Sequence, residues 1–280
     1  MRRIWLTLSL VLLVGGATAL AQDAKNTGNK NVSKDNTITT VGPQTQAFEN
    51  PKADRKSDPR AIAFLKNKVD KTMYNLVSQG VRDAVVRMQL QNSPQFGDLT
   101  VIHYWQASPH REFTDVAGLD DGMTGFKQII ANQLGDHIRR ALLLPASMEN
   151  QDMILSMEND GDLVKITAES RSPKDAERHM TWYTNDGRVV RGVTEGDNPV
   201  TGPYEARRSY DLQQVGEQWI VTGITTRIAG RPTQIRLFYE DRDNLRVLTH
   251  ATVNSSRGTM STKFDISFNK GIDAKVFQGR

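Results

Sequence analysis

Apolar residues recur at helical intervals in a segment that begins after residue 58. Asp58 followed by Pro59 is a typical helix start, with an acidic N-cap and proline in the first turn, and Gly80 is a typical stop. Because apolar side chains three or four residues apart share one face of a helix, this segment predicts an amphipathic helix over residues 59–79. Its apolar face is formed by Ile62, Leu65, Val69, Met73 and Leu76.

The same spacing returns once more near the middle of the chain. It predicts a second amphipathic helix over about residues 122–144, which Pro145 ends because proline has no amide hydrogen and blocks the preceding turn. The apolar face of this helix is formed by Met123, Phe126, Ile130, Leu134, Ile138 and Leu142.

Elsewhere apolar and polar residues alternate, which is the pattern of a strand with one buried face. Two such segments, at about residues 84–90 and 99–105, lie between the two helices. More segments follow the second helix, and two of their connections contain Asp-Gly, a strong signal for a tight hairpin turn. These later segments span residues 153–158, 163–169, 179–184, 189–194, 208–214, 218–228, 233–240, 246–253 and 260–268.

Strands with one buried face, about nine of them after the second helix and mostly in hairpin order, predict a large antiparallel sheet. A sheet of this size twists and curls, so that one of its faces becomes concave. We therefore expect a single α+β domain over residues 59–280, in which the two amphipathic helices cover the concave face of a large curved antiparallel sheet.

The N-terminus has the three parts of a secretory signal peptide. Arg2 and Arg3 precede a short apolar run at residues 4–14, and Ala19-Leu20-Ala21 fits a cleavage site. The run is shorter than the roughly 20 residues that span a bilayer. We expect a signal peptide over residues 1–21, cleavage after Ala21, and a periplasmic or secreted product. The polar stretch at 22–58 has too few apolar residues to fold and predicts a flexible leader.

Composition narrows the class of protein further. The chain has no cysteine, which excludes disulfides, thiol chemistry and a lipid anchor at the cleavage site. Removal of two N-terminal arginines leaves 34 basic against 32 acidic residues, a charge of about +2. Because basic and acidic residues alternate along the chain, we expect no nucleic-acid partner. We also expect no transmembrane segment after cleavage.

The order of the predicted elements resembles a known family. A helix follows the leader, a long antiparallel meander comes next, and the last strand continues into an Asn-x-x-Ile-x-x-x-x-Phe segment at residues 269–277. This order resembles the bacterial periplasmic lipoprotein-carrier superfamily: the lipoprotein-sorting carrier, its outer-membrane receptor and the lipoprotein-sensing regulator of the envelope stress response. The resemblance implies an unclosed β-barrel with helices as a lid over an apolar cavity that receives acyl chains.

Local motifs for catalysis or metal binding are missing from the sequence. The five histidines are scattered, with no pair at the i, i+4 spacing of a helical zinc site. There is no Gly-x-Ser-x-Gly motif and no glycine-rich phosphate loop between a strand and a helix. We therefore expect a protein that is not an enzyme and that needs no metal or cofactor.

Aromatic residues within the strands are the best candidates for a binding site, as the lining of an apolar cavity or as an ordinary core. A cavity and a core place the same residue types on the same face, so the sequence leaves both open. The cavity candidates are Trp105, Trp182, Trp219, Tyr239, Phe264 and Phe268. The candidates for a lid over it are Leu65, Val69, Met73, Phe126, Ile130 and Leu134.

These features lead to one functional hypothesis and two alternatives. The first is a non-enzymatic extracytoplasmic protein that shelters a lipid or the acyl chains of a lipoprotein. The second is a cell-envelope scaffold with a solid core, which binds protein partners through its surface or an edge strand. A hydrolase with a dispersed site is the third and least favoured. A void beneath the helices would favour the first, and a dense interior the second.

Overall fold

The computed structural model describes residues 55–91, 99–118, 124–172, 177–198, 202–256 and 258–278. The predicted signal peptide at 1–21 and most of the predicted leader, 22–54, lie outside the described residues.

One twelve-stranded antiparallel sheet dominates the described part of the chain. Its strands are β1 Asp83–Gln91, β2 Thr100–Gln106, β3 Arg111–Ala117, β4 Met153–Asp160, β5 Leu163–Ser170, β6 Arg178–Thr184, β7 Val189–Asn198, β8 Gly202–Val215, β9 Gln218–Ile228, β10 Arg231–Arg242, β11 Leu245–Ser255 and β12 Gly258–Phe268. Strands β4 to β12 follow one another in chain order, β12 then pairs with β1, and β1 is followed by β2 and β3. Among the described residues β3 and β4 are the two edges and do not pair with each other, so the sheet is unclosed. The predicted large curved antiparallel sheet is therefore confirmed.

The strand bounds agree with the alternation in the sequence except at β3 and β8. Strand β3 was not predicted, and β8 begins six residues before its predicted segment at 208–214.

The β6–β7 connection is one of the two turns predicted from Asp-Gly, and it also contacts a helix. Gly187 has a φ of +96°, which favours glycine. A Cβ atom at this position would lie 2.6 Å from the carbonyl carbon of Lys68. The turn is fixed further by a hydrogen bond from the Thr72 hydroxyl to the carbonyl of Asp186. Glycine therefore serves both the turn and the close approach of the helix.

The first helix is shorter than predicted. It spans residues 59–72, here called α1, as an α-helix Pro59–Phe64, a π-helix Leu65–Val69 and an α-helical turn Asp70–Thr72. Met73 then adopts an extended conformation and forms a parallel bridge with Trp219 at the start of β9. Pairing with the sheet therefore ends the helix well before Gly80, and the prediction of a helix over 59–79 is wrong in its last turns.

An amide side chain stabilises this early helix end. Asn75 Nδ2 donates to the carbonyl oxygen of Asp70 at 2.8 Å, and Asn75 Oδ1 accepts from the backbone amide of Ser78 at 2.8 Å. Helix C-termini leave carbonyl groups without intrahelical partners, and Asn75 satisfies one of them.

The second helix also ends earlier than predicted. It is an α-helix Thr124–Arg139, here α2, followed by a 3-10 turn Arg140–Leu142. The backbone turns at Leu143, which has a left-handed φ of 44°, so the helix stops before Pro145. A short helix Ala146–Glu149, α3, leads into β4. A 3-10 helix, Ala274–Gln278, follows β12.

Two groups of buried apolar side chains flank the centre of the sheet. The α2 core joins α2 to β1, β2, β11 and β12, and the α1 core joins α1 to β4, β5 and β6. Members of the α2 core include Val86, Val101, Trp105, Ile130, Ile138 and Ile266. Members of the α1 core include Ala61, Leu65, Leu155, Ile166 and Tyr183. Within the described residues, β7 to β10 supply a single fully buried member, Ile220.

The last residues of the predicted leader contact the edge of the sheet. The Ser57 hydroxyl donates to the Met153 carbonyl and accepts from the Leu155 amide, each at 3.1 Å. The Asp58 amide donates to the Leu155 carbonyl at 2.8 Å. These bonds satisfy polar groups of edge strand β4, which would otherwise be free to pair with another chain.

Candidate functional site: a cavity over the centre of the sheet

A cavity of about 350 Å³ lies between the two cores. Its wall is formed by β1, by β6 to β12, and by residues of α1, α2, α3 and their connections. Because the inner faces of β9 to β12 carry alternating apolar residues, much of this wall is apolar. These apolar side chains include Ile224, Ile235, Leu237, Leu248, Ala251 and Phe264.

Three of the six predicted aromatic candidates line the cavity. They are Trp219, Tyr239 and Phe264, from β9, β10 and β12. The Tyr239 hydroxyl donates to the Val221 carbonyl at 2.7 Å, and burial raises its pKa. The guanidinium of Arg188 lies 5.2 Å from the centre of the Trp219 ring, a cation–π contact.

The other three aromatic candidates lie elsewhere. Trp105 is only 1% exposed and belongs to the α2 core, against which Phe268 also packs. Trp182 lies outside the cavity lining, between Lys165 and Arg191, with its Nε1 donating to Asp160 at 2.6 Å. The alternating pattern predicts on which face of the sheet each aromatic side chain lies, but it does not predict whether that face borders a cavity.

The candidate lid residues divide in the same way. Val69, Met73 and Leu134 line the cavity, whereas Leu65 and Ile130 are buried in the α1 and α2 cores. Met73 reaches the cavity from the extended segment after α1 rather than from the helix. The side chain of Phe126 lies outside what the structure describes.

One end of the cavity is polar, which the sequence did not predict. Thr194, on β7, is 0% exposed, and its hydroxyl accepts from Arg208 Nη2 at 2.6 Å. The same hydroxyl lies 3.0 Å from His179 Nδ1. Burial, with the charges of Arg208 and Arg140, lowers the pKa of His179 to about 4. His179, Arg208 and Arg140 all line the cavity.

Because His179 is neutral, the hydrogen bonds that join Arg208, Thr194 and His179 have defined donors and acceptors. A neutral imidazole has one N–H, and Thr194 can donate to Nδ1 while its oxygen accepts from Arg208. The Nε2–H then faces Glu177, whose Oε2 lies 3.6 Å away. Three neighbouring strands are thereby linked through the wall of the cavity, which holds Arg208 in place.

Carboxylates lie at another part of the cavity wall. Asp70 accepts from the amide and the hydroxyl of Ser147, and burial raises its pKa. The pKa of Tyr183 is raised by burial and, to a lesser degree, by nearby Tyr210, Glu149 and Asp70. Tyr183 and His179 are four residues apart on β6, about 13 Å along an extended strand. The cavity therefore has a basic and an acidic side.

Strand register contains the signal that could have revealed the polar end. His179, Thr181 and Tyr183 share one face of β6, and all three line the cavity. Trp182, the candidate predicted from the sequence, lies on the opposite face of β6. Pairing of His179 with Thr194 on β7 follows from the hairpin register, but the approach of Arg140 from a distant helix does not.

A hydrolase with a dispersed site would bring a serine, a histidine and an acid together in one pocket. His179 lines the cavity, but no serine among the described residues does so. Ser261 and His250 approach to 3.1 Å outside that lining. In the part of the chain that the structure describes, no group of three or more metal-binding side chains could hold an ion. No helix there is both long enough and apolar enough to cross a bilayer.

No protein family and no curated protein matches this chain.

Proposed function

We propose that this protein is an extracytoplasmic binding protein that shelters a lipid or a lipoprotein acyl chain in the central cavity. In this proposal it acts as the lipoprotein-carrier superfamily does, without catalysis. The two helices α1 and α2, with the segments that follow them, serve as the cover over the concave face of the sheet. Delivery to the envelope depends on the predicted signal peptide at residues 1–21.

The observation that supports this proposal most strongly is the apolar cavity of about 350 Å³. Small-molecule sites in proteins are concave, mostly apolar and roughly 300–1,000 Å³ in volume. The cavity lies near the lower end of that range, which suits one acyl chain better than several. Each methylene group buried from water contributes about 0.8 kcal/mol, so apolar contacts alone supply useful affinity.

The contacts at the edges of the cavity support a cover that can move. Val69 and Met73 reach it from α1 and the segment after it, and Leu134 reaches it from α2. Both helical stretches end in non-helical backbone, at Met73 and at Leu143. Rotation at these two points would open the cavity: it would break the backbone bridge between Met73 and Trp219 but not the hydrogen bonds between the strands.

A substitution that fills the cavity tests the proposal. Ile235 lines the cavity on β10, and its neighbour Gln234 is exposed on the other face of the strand. The full chain, expressed with its own N-terminal segment and purified, is titrated with a fluorescent acyl probe. We expect Ile235→Trp to weaken probe binding at least tenfold and the matched control Gln234→Trp to leave it unchanged.

Two outcomes would contradict the proposal. One is that the wild-type protein binds no acyl probe, which would favour the scaffold alternative. The other is that both tryptophan variants bind as well as the wild type, which would place the probe outside the cavity.

A further inference from the structure

The basic side of the cavity contains two arginines from distant parts of the chain. Arg208 lies on β8, and Arg140 lies in the turn that follows α2. Both line the cavity, and Arg208 lies beside His179, since the Thr194 hydroxyl contacts the side chains of both. The fold thus brings two positive charges from distant parts of the chain to the wall of one cavity.

This positive charge is held in position. The hydrogen bond from Arg208 Nη2 to Thr194 Oγ1, at 2.6 Å, fixes one corner of the guanidinium against a fully buried hydroxyl. A guanidinium has five N–H donors in a planar fork and can serve more than one acceptor, which suits carboxylate and phosphate groups. Away from bulk water, its attraction for an anion is stronger than on an exposed surface.

The carboxylates of the cavity favour one orientation of an anionic ligand. Asp70 and Glu149 act on Tyr183, which lies about 13 Å along β6 from His179. An anionic group is repelled there and attracted by Arg208 and Arg140. An apolar ligand chain that extends from the arginines would lie along the cavity wall formed by β9 to β12, which includes Ile224 and Ile235.

We propose that Arg208 and Arg140 bind the anionic headgroup, a carboxylate or a phosphate, of a single-chain amphiphile whose chain fills the apolar part of the cavity. This inference rests on the proposed function, because it assigns the ligand class of the same cavity. It adds that the ligand carries an anionic group, which the binding of an acyl chain alone does not require.

The first test compares three ligands of equal chain length on the wild-type full chain. Palmitate, hexadecyl phosphate and hexadecanol each displace a bound fluorescent acyl probe at about pH 8. We expect both anionic ligands to bind at least tenfold more tightly than the alcohol. The stronger of the two identifies the headgroup, and inorganic phosphate as a competitor shows whether the anion binds without a chain.

The second test removes the charge. Arg208→Met should reduce the affinity for the anionic ligands at least tenfold and leave hexadecanol unchanged, whereas Arg208→Lys should retain part of the preference. Arg207→Met is the matched control, because Arg207 is the next residue on β8 and its side chain is 72% exposed. Should Arg208→Met fail to fold by circular dichroism, Arg140→Met provides the same comparison.

The outcomes separate this inference from the proposed function. If all three ligands bind equally, or if Arg208→Met and Arg207→Met behave alike, the anionic headgroup is overturned while the apolar cavity stands. If none of the three binds the wild type, the proposed function itself fails. A preference for the anions that is lost only in Arg208→Met or Arg140→Met supports the inference.

Discussion

Strands β2 and β10 have the same alternation of apolar and polar residues but lie in different surroundings. On β2, Val101, His103 and Trp105 are 0%, 2% and 1% exposed, because α2 packs against them. On β10, the corresponding face carries Leu237 and Tyr239, which stay partly exposed because they border the cavity. Equal sequence patterns therefore give a solid core in one region and a cavity wall in the other.

The difference shows what sequence periodicity can and cannot determine. Alternation decides which side chains share a face of the sheet. Whether that face is filled depends on what the rest of the chain places over it. Here α1 contacts β4 to β6 and α2 contacts β1 to β3, while β9 to β12 border the cavity. The stability of the protein should therefore depend on the flanks, and its binding on the centre.

Truncation of a core tryptophan should give the largest loss of stability. We expect Trp105→Ala, in the α2 core, to lower the free energy of unfolding by about 3–5 kcal/mol. Trp219→Ala, at the cavity wall, should lower it by about 1 kcal/mol, because that side chain is already partly exposed. Urea denaturation of both variants measures the two values. Equal losses would mean that the two regions are packed alike.

Acidification should lower the stability of the protein through two buried histidines. Burial, with a smaller effect of Arg139, lowers the pKa of His103 to about 3, and the pKa of His179 is about 4. Below the ordinary value of 6.5 the unfolded chain binds protons that the folded chain excludes, so stability falls as the pH falls. Between pH 6.5 and about pH 5 we expect a loss of about 2 kcal/mol for each histidine.

This pH dependence can be assigned to one residue. His103→Gln removes one of the two groups, so the loss of stability below pH 6.5 should become smaller by roughly half. Urea unfolding of the wild type and the variant at several pH values measures both slopes. A variant with the wild-type slope would contradict the assignment.

Disruption of the contact between α1 and the β6–β7 turn should give the next largest loss of stability. Gly187→Ala places a Cβ atom against the backbone of Lys68 in a conformation that favours glycine, and should lower stability by about 2 kcal/mol or more. The matched control is Gly161→Ala in the β4–β5 turn, where nothing lies within 4 Å, and it should lose only about 1 kcal/mol. Thermal melts distinguish the two. Similar melting temperatures would mean that the helix does not depend on the turn.

The smallest loss of stability is expected when a side chain of the cavity wall is truncated. Ile235→Ala should lower stability by less than about 1 kcal/mol, since the side chain already faces a void. Val101→Ala removes less volume but comes from a fully buried position, and it should lower stability by about 2 kcal/mol. A larger loss at Ile235 would indicate a filled interior.

Much of the sheet could be predicted from local sequence. Asp160-Gly161 and Asp186-Gly187 mark real turns, and the alternation of β12 matches its buried face. Strand β3 was not predicted, because only Val116 is buried on this edge strand and its pattern depends on pairing with β2. An edge strand with little burial leaves only a weak periodic signal.

The ends of the helices and the site depend on contacts that are distant in sequence. α1 ends where Met73 pairs with Trp219, almost 150 residues later, and no local signal marks that position. The basic side of the cavity combines Arg140, from the turn after α2, with Arg208 on β8. Three of the predicted aromatic residues reach the cavity, because periodicity identifies a face but not what lies over it.

Tryptophan quenching tests the central claim, that an acyl chain occupies the cavity, most directly. A brominated fatty acid quenches a tryptophan that it touches, and Trp219 lines the cavity whereas Trp182 does not. We expect quenching in the wild type that persists in Trp182→Phe and is largely lost in Trp219→Phe. Quenching that is unchanged in Trp219→Phe, or absent from the wild type, would contradict it.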